Sequence, residues 1–522
     1  MMVDPVPLRP RVVEEQQKLA TEISDRLSQE LVIALVGPVG SGVSTSGRLL
    51  SEILTQHFKY DVAPIIGMSD IIRTEARRVD VTTPPQNPLN NYIEVMQAAG
   101  NRLRERFGNN YLAEKAVERI AKFRESRGGY RSEDGALIPG RRAYIIDSLK
   151  NAEELALLRQ IYRDTLMLFG IFAPDDIRKK RLVDKGAEEK DVQAVLDRDQ
   201  GEPATFGQMT RKIFVLSDFF ICNDKKEEEL KRRLHRYLEI VFDTNVHTPT
   251  KSESAMYEAT AAMASSACMS RQVGASIISA KGELISVGWN DVPKFKGGLY
   301  VEDDQSIWDE AKRAIDDKDH RCFKWGSKIC HNEVRRTKIG DRIAKLIRES
   351  GLLKAGTKVE DVRKILDGTE VDDLTEFSRS IHAEMESILA VAREGRHSLV
   401  GATMFTTTYP CHNCARHIVA AGISKVIYIE PYRKSLAIAL HNDAITEDPE
   451  DRSKVVFQQY DGISPHLYLR LFRPSTPRKQ DGHFARQPAE VALPVFRVPL
   501  DSPVEYEAKI IADLSAKEDT DH

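Results

Sequence analysis

The chain has 522 residues, 41% hydrophobic and 30% charged, with a net charge of −3. At roughly 150 residues per domain this length predicts two or three domains. The balanced charge argues against a dedicated nucleic-acid binder, which would be basic. No apolar run nears the roughly 18 residues of a membrane span. The opening MMVDPVPLRPRVVEEQ lacks an apolar stretch behind a basic start, so no secretory leader is expected. Six cysteines are too few for a disulfide scaffold. They are expected as reduced thiols in a cytoplasm, where they can hold a metal.

In chain order, residues 1–30 are polar and lead into the first domain. Leu31 to Val36 (LVIALV) is an apolar run of strand length, GPVGSGVST follows, and an amphipathic helix runs to about His57. Strands are expected over 143–147, 165–172 and 214–222, with charged helices over 151–162 and 176–198. This alternation predicts a parallel α/β sheet. The mixed charges of 225–241 suit a solvated helix that closes the first domain, residues 1–245. Residues 243–253 carry turn formers and mark the boundary. A second α/β domain, 246–470, is expected to comprise a helix (254–268), a strand pair (272–279 and 283–289), an insertion (about 291–378), a helix (382–394), a strand (402–408), a helix (412–421) and a strand (424–429). Residues 471–522 turn proline-rich and then acidic. They read as a mobile tail in which PVFRVPL could dock.

The strongest chemical pattern is His382-Ala383-Glu384 followed by Pro410-Cys411-His412-Asn413-Cys414. This H-x-E…P-C-x-x-C arrangement is the signature of zinc nucleobase deaminases. Cys411 and Cys414 stand three apart at the start of a predicted helix, about 60° apart around its axis, so both sulfurs can meet one ion. The positive helix N-terminus favours the thiolates a metal needs. His382 supplies a third ligand, and three protein ligands leave the fourth tetrahedral position open, as catalytic zinc requires. Zinc, two thiolates and a neutral imidazole sum to zero charge, which eases ionisation of a water at the open position. Glu384 is expected to carry protons rather than bind metal. Residues i and i+2 diverge by about 200° on a regular helix, so His382 and Glu384 must lie where their helix begins. A lone C-x-x-C would also suit a redox pair or half of a structural site, with His412 or His417 as a fourth ligand.

Residues 254–435 resemble the deoxycytidylate deaminase family through SRQVGASII (270–278), GWNDVP (288–293), HAEMESILA (382–390) and GATMFTTTYPCHNCARHIVAAGISKVIY (401–428). The resemblance implies an α/β/α sandwich acting on free nucleotides. It implies that His382, Cys411 and Cys414 hold Zn2+, that Glu384 is the acid/base, and that Asn290, Arg271 and Ala383 border the substrate. Two departures stand out: the family's GYNG reads GWND here, and Glu386 replaces an asparagine. A second metal set, Cys268, Cys322, Cys330 and His331 with His320 nearby, is suggested because some family members hold a structural zinc at a cysteine matching Cys268.

Gly37-Pro38-Val39-Gly40-Ser41-Gly42-Val43-Ser44-Thr45 fits the phosphate-loop pattern G-x-x-x-x-G-K-[ST] except that Val43 replaces the lysine. Gly37, Gly40, Ser41, Gly42, Ser44 and Thr45 could still cradle phosphate, with Ser44 on Mg2+. Arg198 or the cluster from Arg178 to Arg181 could stand in for the missing charge. The domain resembles P-loop nucleotide kinases, and losing the lysine favours a nucleotide sensor over a kinase. The domain order resembles the two-domain bacterial anti-phage deoxycytidylate deaminases. That resemblance implies dCTP and dCMP as substrates, depletion of dCTP during infection, a nucleotide effector, an inhibitory small RNA in some members and homo-oligomers. The competing readings are a cytosine deaminase on single-stranded nucleic acid, which would need a basic and aromatic channel, and a nucleotide- or RNA-binding regulator with a secondary deaminase site.

Overall fold

The computed structural model describes residues 26–129, 137–200 and 209–519, apart from positions 305, 306, 312, 317, 355, 368, 370, 372, 373, 375, 433 and 434. The chain divides into two compact units, residues 1–248 with 461–522 and residues 249–460. Both are α/β. No described helix is long and apolar enough to cross a membrane.

The first unit is built on β1 (Leu31–Val36), β2 (Asp61–Val62), β3 (Ile66–Gly67), β4 (Arg142–Asp147), β5 (Leu166–Phe172) and β6 (Phe219–Cys222). They run parallel in the order β6-β5-β1-β4-β2, with β3 also on β4. All of β1 and β5 is buried, as expected of central strands covered on both faces. The chain leaves β1 for β4 on one side and returns to β5 on the other. That reversal opens a crevice at the strands' C-terminal ends, where open α/β sheets take ligands. The glycine loop lies there, between β1 and α1 (Val43–Gln56). Two more helices matter below, α2 (Tyr111–Ser126) and α3 (Asp175–Asp184). The single strand expected over 214–222 is broken. Phe214 ends a short helix and β6 begins only at Phe219. Ser217 N closes a turn on Phe214 O, and Asp218 turns its carboxylate to Leu168 N at 2.7 Å.

In the second unit α4 (Lys251–Met263) precedes β7 (Gly274–Ile278) and β8 (Leu284–Trp289). It starts earlier than the expected 254, because Thr250 and Glu253 form a reciprocal capping box. An insertion follows, holding a short hairpin (Ile307–Asp309 with Ala314–Asp316) and two helices, α5 (His331–Glu349) and α6 (Val359–Leu366). Then come α7 (Ala383–Glu394), β9 (Thr403–Thr408), α8 (His412–Ala420), β10 (Lys425–Glu430), β11 (Ile445–Thr446) and β12 (Val455–Gln459). The sheet order is β11-β12-β10-β9-β7-β8. β7 runs antiparallel to both neighbours and the other pairs are parallel. Period-2 alternation separates the layers. Ser276 donates to Ala255 O on α4, while Ser286 donates to Ser387 O on α7. Because Ala275 pairs with Gly288, residues 275, 286 and 288 share one face and 274 and 276 the other. α4 and α7 therefore cover opposite faces, which makes an α/β/α sandwich.

The expected mobile tail is instead packed. From Asp461 the chain belongs to the first unit again. β13 (Gly462–Ile463) pairs antiparallel with β6, Val495 N bonds Val241 O, Ser28 N bonds Val498 O, and α9 (Asp501–Asp519) covers α2. Glu507 on α9 meets Arg124 on α2, and Arg124 also meets Glu30, all three groups being buried. Buried apolar side chains at Ala492 and Leu500 and this ion pair hold a segment whose prolines suggested looseness.

Candidate active site

His382 is the N-cap of α7, with extended φ −79° and ψ 153°, and the helix proper begins at Ala383. That non-helical residue removes the i, i+2 conflict, so imidazole and Glu384 carboxylate can face one point. Cys411 is likewise the N-cap of α8, at φ −72° and ψ 166°, with Cys414 in the first turn. Both caps accept the first intrahelical bond, Glu386 N to His382 O and Ala415 N to Cys411 O, each 2.9 Å. Two helix N-termini thus converge on three ligand atoms.

His382 Nδ1 lies 3.4 Å from Cys411 Sγ and 3.3 Å from Cys414 Sγ. A tetrahedral zinc, about 2.3 Å from sulfur and about 2.0 Å from nitrogen, would set S and N roughly 3.5 Å apart. The donor set and its spacing fit that ion. Among the described residues this is the one group of three such side chains whose ligand atoms all lie within 4.8 Å of one another. His417, considered as a fourth ligand, bonds Asn413 O through Nδ1 at 2.6 Å. Glu384 is 4% exposed, and Cys414 Sγ lies 3.5 Å from its Oε2. Burial pushes the Glu384 carboxyl up. The hydrogen bond from Cys414, against burial and with His382 beside it, holds Cys411 down at about 3. The hydrogen bond to Cys411 outweighs burial and lifts His382 to about 9.

Residues around this centre fix it in place. A Cβ on Gly288 would stand 2.6 Å from both Ala383 O and Ser387 N, so only glycine lets β8 approach the helix that carries Glu384. Asp291, the departure from GYNG, is buried and bridges to Ile381, whose N donates to Asp291 O at 3.0 Å. It thereby anchors the residue before His382. Both ends of the Asn290 amide meet backbone: Val273 N donates to Oδ1 and Nδ2 donates to Arg271 O, each 2.7 Å. Asn290 therefore brackets the start of β7. Arg271 forms an ion pair with Glu430, and Ala383 is wholly buried in the first turn of α7. Glu386 pairs with Arg393 one helix stretch further on. The sequence patterns did not single out Gly288, Glu430 or Arg393. Gly288 opens the GWND segment, which was the available signal for the first.

Cys268, Cys322, Cys330 and His331 border one cavity, together with Asp291 and Arg379. Their ligand atoms do not form a group within 4.8 Å of one another, and Cys330 Sγ instead lies 3.5 Å from Ser270 Oγ. His320 is turned to Tyr300, with Tyr300 Oη 3.3 Å from its Nδ1.

In the first unit, Gly37, Gly40, Ser41 and Gly42 lie in the turn between β1 and α1, and Ser44 and Thr45 in the first turn of α1. Gly40 and Gly42 hold φ values of 83° and 89°, which glycine alone adopts freely. Val43 is buried as the first residue of α1. Ser44 hydrogen-bonds Asp147 at the end of β4; burial raises that carboxyl and the serine pulls it back. Lys150 Nζ donates to Gly37 O at 3.0 Å. The side chain of Arg198 lies outside the described residues.

Residues 249–430 match the model of the cytidine and deoxycytidylate deaminase zinc-binding region. Over these residues the second unit is similar to the cytidine and deoxycytidylate deaminases. Over 55 residues the chain is 49% identical to the deoxycytidylate deaminases of Enterobacteria phages T2 and T4, a stretch covering 10% of this chain and under a third of theirs, 29% and 28%. Over 204 residues, 39% of this chain and 89% of the other, it is 25% identical to a UPF0200 protein of Saccharolobus solfataricus. Among solved structures, the dCMP deaminase of cyanophage S-TIM5 in complex with dCMP and dUMP aligns with 41% of this chain and 100% of its own, at 18% identity and a TM-score of 0.22.

Proposed function

We propose that the chain hydrolytically deaminates free deoxycytidine nucleotides, dCMP, dCTP or both, to the deoxyuridine forms. The observation that carries this is His382 Nδ1 held 3.3 to 3.4 Å from two thiol sulfurs with the Glu384 carboxyl alongside. The 49% identity to phage deoxycytidylate deaminases supports a nucleotide rather than a strand as substrate.

His382, Cys411 and Cys414 would hold zinc, which when bound supplies a water acidic enough to attack C4 of cytosine near neutral pH. The chain's own residues handle the protons. Glu384 takes one from the attacking water and gives it to N3, then takes the proton of the new C4 hydroxyl and gives it to the amine, so that the C4–N bond breaks, ammonia leaves and C4 becomes a carbonyl. Its burial keeps these protons from exchanging with solvent. Gly288 and Asp291 hold α7 and the segment before His382 in register. The Arg271 segment, bracketed by Asn290, would border the substrate, as the family resemblance implies.

The first unit would serve as a nucleotide effector site. The order of the two units supports a role in phage defence through loss of dCTP, with control by an effector or a small RNA and assembly into oligomers. Cys268, Cys322, Cys330 and His331 would need to close around a second, structural zinc. Metal analysis of an active, zinc-saturated preparation tests this, and one zinc per chain rules it out.

The activity is tested by ammonia release from dCMP, dCTP, CMP, cytidine and a cytosine-bearing oligonucleotide. The free deoxynucleotides should dominate. An oligonucleotide turned over at a rival rate overturns the assignment, as does an inert panel with zinc bound.

A further inference from the structure

The three ligand atoms at the second unit's centre are not held alike. Cys411 lies three residues past the end of β9, and Tyr409 N still bonds Glu430 O on β10 at 2.7 Å, so the central sheet carries that ligand to its place. Among the described residues, none between the insertion and His382 belongs to a strand of the sheet. As an N-cap, His382 also precedes the helical backbone that fixes residues from Ala383 on. Where its imidazole stands therefore depends on what holds residues 378–381.

One hold is Ile381 N on Asp291 O. Asp291 is fixed in turn, because its carboxylate accepts from Ala267 N at 2.9 Å and from Val292 N at 2.8 Å. The other hold is Arg379, three residues before His382. Its Nη1 donates to His320 O at 3.0 Å, and its guanidinium carbon stands 4.2 Å from the centre of the Trp325 ring. A guanidinium that close to an indole ring makes a cation–π contact.

Both partners of Arg379 sit on one braced turn of the insertion. Lys324 N and Trp325 N each bond Arg321 O at 2.9 Å, and Arg321 Nη2 donates to Asp319 Oδ2 at 2.7 Å, with Arg321 and Asp319 both buried. Arg379 thus grips a turn that is already fixed. Beside Ser378, Arg379 and Ser380 runs the cavity that Cys268, Cys322 and Cys330 border. Open space replaces close packing there, so on that side the grip of Arg379 holds the segment.

We propose that Arg379 is a positioning residue that holds His382 at the metal position, and that the insertion is through it part of the active-site frame. This rests on the reading of His382, Cys411 and Cys414 as zinc ligands. Residues that orient metal ligands cost about 10- to 100-fold in affinity or activity when lost. A misplacement of about 1 Å at a reacting centre costs about 100-fold in rate. Arg379 acts on the ligand through the backbone between them and touches no reacting atom. Its planar fork can meet the ring with its face and the carbonyl with its edge, which the point charge of a lysine ammonium does less well.

The test uses the full chain freed of metal and titrated with Co2+, whose visible bands report a tetrahedral thiolate site. The band read is the one that His382→Ala removes, so an ion in the cysteine-lined cavity does not enter. Arg379→Ala should weaken Co2+ at that site about tenfold or more, and Arg379→Lys should fall between it and the parent. With zinc restored, kcat for the deoxynucleotide the parent turns over fastest should fall in Arg379→Ala, while KM stays within about threefold. Trp325→Ala should act in the same direction, and the double variant should be no worse than Arg379→Ala. Melting temperatures check folding; a side chain that only stabilised the fold would lower them and leave Co2+ affinity and kcat unchanged. Should Arg379→Ala fail to fold, Arg379→Lys and Trp325→Ala carry the same readings. Affinity and kcat both within about twofold of the parent in folded variants, or fully additive effects of the two alanine substitutions, would overturn the inference alone. A parent with no Co2+ band that His382→Ala removes overturns the ligand reading itself, and this inference with it.

Discussion

Replacing Glu384 by glutamine keeps the side chain's volume and removes its ability to take a proton. The residue is 4% exposed, so bulk water cannot readily substitute as a base. A positioned general acid/base contributes about 10²- to 10⁴-fold, or about 2.7 to 5.4 kcal/mol of barrier. Glu384 is asked to serve the water, N3 and the amine in turn, which places the loss at the upper end. His382, Cys411 and Cys414 are untouched, so zinc content should stay at the parent level. The assay is ammonia release from dCMP and dCTP, with metal analysis on the same sample. A Glu384→Gln protein that retains zinc and more than about a tenth of the parent rate would refute the proton-carrier role.

Gly288→Ala should push α7 away from β8, because the new methyl would stand 2.6 Å from two backbone atoms of that helix. Melting of the second unit should fall by about 1 to 3 kcal/mol equivalent, with weaker zinc retention on dialysis. Arg124→Met would take the arginine from buried Glu507 and leave Glu30 with Arg142 alone, destabilising the first unit by about 3 to 5 kcal/mol. The double change with Glu507→Met should recover part of this in urea titrations. Burial would raise Glu239, but hydrogen bonds from His235 and His247 win and hold it well below the usual glutamate range. Its stabilisation is present above the ordinary value of about 4.3 and drains away as pH falls below it. Glu239→Gln should flatten the acid limb of the first unit's stability against pH.

Local signals were legible in the sequence. β1 reads directly because six consecutive apolar residues meet a glycine turn, and the Cys411–Cys414 pair reads because helix starts are written in adjacent residues. The start of α4 was hidden by TPTKSE, whose turn formers mask a capping box between Thr250 and Glu253. Asn290 looked like a ligand contact, yet its amide is taken up by Arg271 and Val273 backbone, a tertiary use that no local pattern announces. The C-terminal segment was the largest difference. Its apolar positions are scattered among prolines, and the ion pair that seats it joins residues 383 apart in sequence.

Because residues 461–522 belong to the first unit, the second unit is spliced into the middle of another fold. On the ribosome, domains generally form as they emerge. Here the unit begun first is completed last: Arg124 has Glu30 upstream of it, but its second carboxylate, Glu507, is made only near the end. A stop codon just after residue 460 would release a second unit with all of its described strands, attached to a first unit missing a strand, a helix and one of the two carboxylates that meet Arg124. Truncated products should therefore be recognised and cleared through the first unit, the incomplete half.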